Sequence, residues 1–453
     1  MNPSAIYADV VQDTIEAQSM RMPDTDSLRG KRYLRLHQRG RNSSAHAEAR
    51  VLRDIELELD RCRPDDSGFP PAREEALRRL RSVDTRSYRR LRDYTRGPVS
   101  RLSPYITHGL VSVPEVFGAV VARCDSGPTD RFVQELAWRE FFRHVWRHLG
   151  DGIGEDIRAA LPGVLYTSGM PEDALSATTG IPVIDASVRE LYDTGYLHNH
   201  QRMWLASYLV HMRKVHWRAG ADWMYGYLLD GDLPSNHLSW QWIASTFSRR
   251  PYLFNADNVQ RFAAHLASRG TGIDRGYEEL GQIAASNLQL EPELGARGEL
   301  AAPPLLCALP DGVPVASRLP LVAGNEGIAL VHPWALGQRP DADHVIGVIH
   351  APFHQRFPWS AQRWSFVVTA MRAVCDEIWI GDATELARAL GSRVVHVQAT
   401  LYPGYREAID ALPCGGVHAE ARLTPDPDDL KPSFSRFWEH VLATRSIDFS
   451  AAG

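Results

Sequence analysis

Residues 195–246 hold five of the chain's twelve tryptophans (Trp204, Trp217, Trp223, Trp240 and Trp242), with Asn199, Arg202, Asp230, Asp232 and Asn236 set among them. A packing wall has no use for that mixture, because every buried amide or carboxylate must find a partner. A large aromatic cofactor that has to be gripped, and fed electrons, does. Asn199, Arg202 and Met203 stand at i, i+3 and i+4, so one helix face carries all three. A second cluster has the same spacing: Glu135, Trp138 and Arg139 share a face, and Phe132, Phe142 and Trp146 widen its aromatic surface. The plainer reading of this cluster is an aromatic core helix with one internal ion pair. A third candidate follows the turn forced by Gly97-Pro98, where Ser100 and Ser103 flank Arg101 and Leu102. Hydroxyls, backbone N–H groups and an arginine in one loop suit a phosphate, and the same serines would also serve as helix caps.

These residues need elements to hold them. Apolar periodicity predicts helices over 42–62, 72–80, 129–149, 181–192, 198–214 and, after Gly220, 222–229 and 240–245, with GDLPSN as a turn between the last two. Residues 150–180 read as a long loop, and no strand is predicted before 290. Beyond the Pro- and Gly-rich segment 291–319 the pattern changes. Short β-like runs at 328–331, 345–349, 377–380 and 394–397 alternate with helices at 361–375 and 383–390, the signature of a parallel, doubly wound α/β unit. Its ligand crevice belongs beyond the carboxyl ends of the strands, near His332, Pro333, Trp334, His350, Pro352, Phe353, His354 and Asp382. No glycine-rich phosphate motif follows any of these strands. The fold class is therefore α plus α/β: an N-terminal extension (1–41), an all-helical domain (42–290), a linker (291–319) and a Rossmann-like domain (320–453).

Composition limits the remaining choices. The formal net charge is -5, yet residues 29–101 carry 20 Lys+Arg against 11 Asp+Glu, a net of +9, nearly all of it arginine. Such a segment either attracts phosphate-rich partners or consists of solvated helix faces laced with ion pairs. The five cysteines are scattered with no CxxC pair, so no metal site is expected, and their odd, sparse use fits a reducing cytoplasm. The N-terminal residues lack the apolar run of a signal peptide, and no apolar stretch is long enough to span a membrane.

The blocks VSRLSPYITHG (99–109), ELAWREFFRH (135–144), IPVIDASVRELYDTGYLHNHQRM (181–203) and DGDLPSNHLSWQW (230–242), in that order, resemble the DNA photolyase and cryptochrome family over residues 45–265. The resemblance implies a helical domain that binds FAD. It assigns Tyr88 and Ser100 to Ser103, with Arg101 and Leu102 between the serines, to the FAD pyrophosphate. Val99 stands where the family usually has threonine. Arg202 and Asp230 become the ion pair against the flavin ring, Asp232 a neighbour of the ribose and ring, and Asn236 the partner of flavin N5, while Phe132 and Gly231 are further cofactor contacts. At the position of Asn236 plant cryptochromes carry Asp and animal ones Cys, so asparagine is the photolyase choice. Glu135, Trp138, Arg139, Asn199, His200 and Met203 become contacts to an extruded pyrimidine dimer. Met203 stands where the (6-4) enzymes carry histidine, which favours cyclobutane dimers. Trp240 and Trp217 match the two inner members of an electron relay. The outer tryptophan has no counterpart, and Tyr166 lies near its expected position.

The chain departs from the family in its order of parts. The family normally carries an α/β antenna domain before the helical one; here an α/β unit follows, as though the two were exchanged, and an antenna chromophore is left open. The expected activity is light-driven splitting of cyclobutane pyrimidine dimers in damaged DNA by reduced FAD, by a cytoplasmic monomer with no membrane contact. The rivals are a cryptochrome-type blue-light receptor and a non-catalytic flavin or nucleic-acid binder.

Overall fold

The computed structural model describes residues 68–124, 126–292, 302–313, 327–391, 393–412 and 416–447, together with Leu59 and Phe449. The expected N-terminal extension, and the helix read over 42–62 apart from Leu59, lie outside the described residues. Four helices lead to the functional region: α1 (Arg73–Ser82), α2 (Thr85–Leu91), α3 (Ser103–Thr107) and α4 (Val113–Cys124). The long α5 (Arg131–Leu149) starts where the Asp130 carboxylate accepts from the N–H groups of Phe132 and Val133, and stops at Gly150. After the short α6 (Glu172–Leu175), α7 (Pro182–Thr194) has proline in its first turn and ends on left-handed Gly195, whose N–H donates to Leu191 O.

Sequence and structure part over the next segment. The helix expected over 198–214 is α only over α8 (Asn199–Ser207) and continues as one π turn, Tyr208–Met212. It ends there because Lys214 turns inward. Its φ is 54°, and its buried ammonium donates to the carbonyls of His211 and Ile283, each at 2.7 Å. Burial holds this lysine down at about 8. Gly220 does not separate two helices as expected. It lies inside α9 (Trp217–Tyr227), where a Cβ would come within 2.3 Å of the Trp240 ring, so the glycine permits a close helix crossing. The expected turn GDLPSN is instead the entry to α10 (Leu233–Ala244): Asp232 caps the Ser235 N–H and Pro234 occupies the first turn. Helices α11 (Ala256–Phe262) and α12 (Tyr277–Ala284) complete the helical part. Between 150 and 180 the chain is largely loop, as expected, and residue 167 makes one isolated β-bridge with Val215.

The α/β unit follows the predicted alternation. Strands β2 (Ile328–Val331), β3 (His344–His350), β5 (Glu377–Gly381), β6 (Val395–Gln398) and β7 (Val417–His418) form one parallel sheet in the order β5-β3-β2-β6-β7. Helices α13 (Ala351–Arg356), α14 (Ala361–Val374), α15 (Ala383–Leu390), α16 (Tyr405–Asp410) and α17 (Phe434–Ala443) belong to this half. The expected linker is partly structured. Its described residues include β1 (Leu306–Cys307), which pairs antiparallel with β4 (Trp359–Ser360).

The two halves are packed together tightly. One hydrophobic core runs from α1, α4 and α5 straight into the sheet, and a second is confined to residues 174–283. Arg363 on α14 is wholly buried between them. It donates to the carbonyls of Tyr225 and Gly231, both at 2.6 Å, and lies over the Trp359 and Tyr225 rings. Burial pulls the Arg363 pKa down, and the aromatic and carbonyl surroundings compensate the cation. The ring nitrogens of His108 lie 2.7 Å from Pro333 O and 2.9 Å from Leu229 O, bridging the same seam. No helix among the described residues is long and apolar enough to cross a membrane.

Candidate functional site: a polar-aromatic cavity between the helices

Helices α5, α8 and α10 surround a cavity of about 400 Å³, within the range of small-molecule and cofactor sites. From α5 it receives Glu135, Trp138 and Arg139, and from α8 Asn199, His200, Arg202 and Met203. The loop before α10 and α10 itself add Asp230, Asp232, Asn236 and Trp240, and Ser103 reaches it from α3. With Phe142 and Trp242, which also line it, fourteen of the residues singled out from sequence meet in one chamber. Trp217, Tyr88, Val99, Ser100, Arg101, Leu102, Phe132 and Gly231 do not line it. Leu102 and Phe132 are core residues, and Tyr88 packs edge-on to Phe132. Ser100 Oγ accepts from the Leu102 N–H at 3.4 Å, the local turn role of such a serine. Arg101 has φ 51° and lies over Phe69 and Tyr196. Gly231 faces the other half of the molecule: a Cβ there would stand 2.4 Å from the Arg363 guanidinium, so its glycine character serves the seam.

Two ion pairs set the electrostatics. Arg202 donates to Asp230 at 2.8 Å and to the Leu197 carbonyl at 2.9 Å, with its guanidinium over the Tyr196 ring. Burial lowers the Arg202 pKa, Asp230 more than reverses this, and the arginine stays charged. Asp230 Oδ1 is buried with no partner among the described residues. Asp232 accepts from Arg139 at 3.1 Å and Arg143 at 3.3 Å, and from the Ser235 hydroxyl. Burial raises the Asp232 carboxyl, but the two arginines outweigh it and hold the group below the usual carboxylate range.

Asn236 Nδ2 donates to the Ala221 carbonyl at 2.8 Å. A carbonyl can only accept, so the amide orientation is fixed with Oδ1 left for a donor. Asn199 and Met203 share a face, with Nδ2 of the first 3.4 Å from Sδ of the second. His200 stacks on Phe262. His198 anchors the start of α8: its Nδ1 accepts from the His200 N–H and its Nε2 donates to the Arg92 carbonyl, so it is neutral, and burial holds it at about 3.

Trp240 lines the cavity, and Trp217 is buried behind it with its indole N–H donating to Asp156. His216 lies 5.7 Å from the Trp217 ring, and Tyr166 lies 6.4 Å beyond His216. The Tyr166 hydroxyl is buried without a partner among the described residues, and burial pushes it up to about 12.

The cavity fits the flavin that the blocks imply. It joins an aromatic wall to a partly buried cation paired with Asp230, a helix-capping carboxylate and an oriented amide, a donor and acceptor set that suits a heteroaromatic ring with a ribose. Residues 132–298 match the family described as the FAD binding domain of DNA photolyase. That segment of the helical half is thus similar to the photolyases' FAD-binding domain. A deoxyribodipyrimidine photo-lyase of Halobacterium salinarum is 34% identical over 193 residues, covering 40% of this chain and 40% of that protein. One from Synechococcus is 31% identical over 259 residues, covering 51% of each. The alignments thus span two-fifths to half of these photolyases. A crystal structure of a bacterial class III photolyase from Agrobacterium tumefaciens aligns at 25% identity with a TM-score of 0.39, covering 49% of this chain and 53% of that one.

Sequence reasoning missed several contributors. Arg92 pairs with Glu135 at 3.0 Å across 43 residues, and no local pattern announces such a partner. Arg143, the second arginine on Asp232, stands four residues after Arg139 and could have been read from that spacing. Pro432, Ser433 and Phe434 also line the cavity, and nothing in the helical half points to them. Some arginines of 73–101 are engaged within the fold, Arg73 with Glu115, Arg79 with Glu75 and Arg92 with Glu135, while Arg78, Arg81, Arg86, Arg89, Arg90 and Arg96 are exposed.

The α/β crevice is different. Trp334 stacks on Tyr402 with centroids 3.4 Å apart, and the Tyr405 hydroxyl accepts from the His350 N–H and lies 3.0 Å from His354 Nε2. The cavity beside these side chains is about 20 Å³, room for one water. The antenna chromophore left open by the sequence has no chamber there among the described residues.

Proposed function

We propose that the chain is a DNA photolyase that splits cyclobutane pyrimidine dimers in blue light, and the observation that carries this reading is the single chamber. The residues assigned to a flavin (Arg202, Asp230, Asp232, Asn236) and those assigned to the lesion (Glu135, Trp138, Asn199, Met203) face the same space. A flavin bound there supplies the light-driven electron. Arg202, fixed by Asp230, stabilises negative charge on the ring, and the oriented Asn236 Oδ1 accepts from a ring N–H. A dimer must be extruded from the duplex to reach a buried cavity, and a damaged base is cheap to unstack. Trp138 packs against the extruded rings, and Glu135, held by Arg92, accepts from their N–H edges. Trp240 passes electrons inward from Trp217, with His216 and Tyr166 as the outward continuation.

The test is dimer loss. Reduced, FAD-loaded protein is mixed with dimer-containing DNA and compared under blue light and in darkness. Loss in light alone is the expected result. Photoreduction of the flavin without dimer loss would instead identify a cryptochrome-type photoreceptor, and a chain that takes up no FAD would sink both readings.

A further inference from the structure

Part of the cavity wall comes from the far end of the chain. Phe434 lies face to face on Trp138, with centroids 4.2 Å apart and planes 8° from parallel, and Pro432 and Ser433 line the space beside it. This is a built contact. The Lys431 N–H donates to His144 Nε2 at 2.9 Å, Arg422 pairs with Glu140, and Glu420 pairs with Arg143. Every one of these anchors is on α5, the helix that carries Glu135, Trp138 and Arg139. The segment is therefore fixed to α5 at three points, and Ser433 caps α17 so that Phe434 opens the helix in a fixed direction. The Trp138 indole N–H is buried with no partner among the described residues.

We propose that residues 432–434 form a wall of the lesion pocket and that Phe434 is a specificity-determining residue for the pyrimidine dimer. The proposal rests on the repair reading. Phe434 covers one face of the Trp138 indole, so an extruded base meets only the other, and the paired rings make a wider, stiffer plate than either alone. A pyrimidine dimer is bulky and puckered, its rings saturated at the fused carbons, and a rigid apolar plate selects it by shape. The α/β half, whose own crevice is filled, thus contributes to recognition from its C-terminal segment.

The experiment compares Phe434→Leu and Phe434→Tyr with the unaltered full chain, FAD-loaded and flavin-free, in anisotropy titrations with dimer-containing and undamaged oligonucleotides. Phe434→Leu keeps apolar volume and removes the plate. It is expected to weaken dimer binding about tenfold, to change undamaged binding less than twofold, and to leave FAD content and the melting temperature near those of the unaltered chain. Phe434→Tyr restores the preference. Equal loss on both DNAs, or no loss, would overturn the proposal and make Phe434 a packing residue. An unaltered chain with no preference for dimers would overturn the repair reading itself, and this inference with it.

Discussion

The molecule offers two places where a ligand could sit, and they are built from similar side chains. The helical cavity is lined by Trp, His, Arg and Asp, and the crevice of the parallel sheet gathers His332, Trp334, His350, His354, Tyr402 and Tyr405 into contact. In the crevice these groups fill the space: Trp334 lies on Tyr402, and His350, His354 and Tyr405 are joined through one hydroxyl, while Trp334 Nε1, the Tyr402 hydroxyl and His354 Nδ1 are buried without a partner among the described residues. In the cavity they stop short. Among the described residues Asp230 Oδ1 and the Trp138 N–H have no partner, and Asn236 points its oxygen away from the bond its Nδ2 makes to Ala221. Neither composition nor unfinished hydrogen bonding distinguishes a site from a seam here; open space does, about 400 Å³ in the cavity against about 20 Å³ in the crevice.

The contrast can be broken most directly at Arg202 and Asp230. Arg202→Ala removes the charged contact proposed for the flavin ring, about 3 kcal/mol, so FAD retention after gel filtration should fall by about two orders of magnitude; retention like that of the unaltered chain would place the flavin elsewhere. Next is the seam. Arg363→Ala strips two buried carbonyls, Tyr225 O and Gly231 O, of their donor. A loss of about 3 kcal/mol is expected in chemical unfolding, with both halves destabilised together because they share a core. Independent unfolding of the two halves would contradict that.

Acid provides a smaller, graded test. His198 and His332 are neutral in the fold, held by burial at about 3 and about 4, against 6.5 ordinarily. The unfolded chain binds their protons first, so stability is full above pH 6.5 and declines as the pH falls toward 4, by about 1.4 kcal/mol per unit for each histidine. His198→Gln should flatten part of that slope in urea titrations at pH 7 and pH 5; an unchanged slope would show that other groups carry it. The smallest effect is expected at the crevice: equilibration with excess FAD should yield one flavin per chain, and a second equivalent lost on His332 substitution would reveal a chromophore site there.

Much of this was legible before any coordinates. Glu135, Trp138 and Arg139 stay together because three- and four-residue spacing on a helix fixes a face, and the alternation of strands and helices after 320 left few other folds open. What escaped were interactions without a local signature. Gly220 reads as a helix breaker until the Trp240 ring beside it is seen, and Leu233-Pro234 reads as a turn until Asp232 is seen capping it. The serine loop looked like a phosphate cradle, yet Ser100 serves its own turn and only Ser103 reaches the cavity. Phe434 lies almost three hundred residues from Trp138, and no pattern in either segment requires the other.

The central claim is that flavin and lesion share one chamber. FAD-loaded protein titrated with a dimer-containing oligonucleotide, with flavin absorption and DNA anisotropy followed together, tests it directly. A saturable shift of the flavin bands that tracks binding of the dimer and is absent with undamaged DNA is the expected result. Dimer DNA that binds to saturation while the flavin spectrum stays unchanged would contradict the shared chamber.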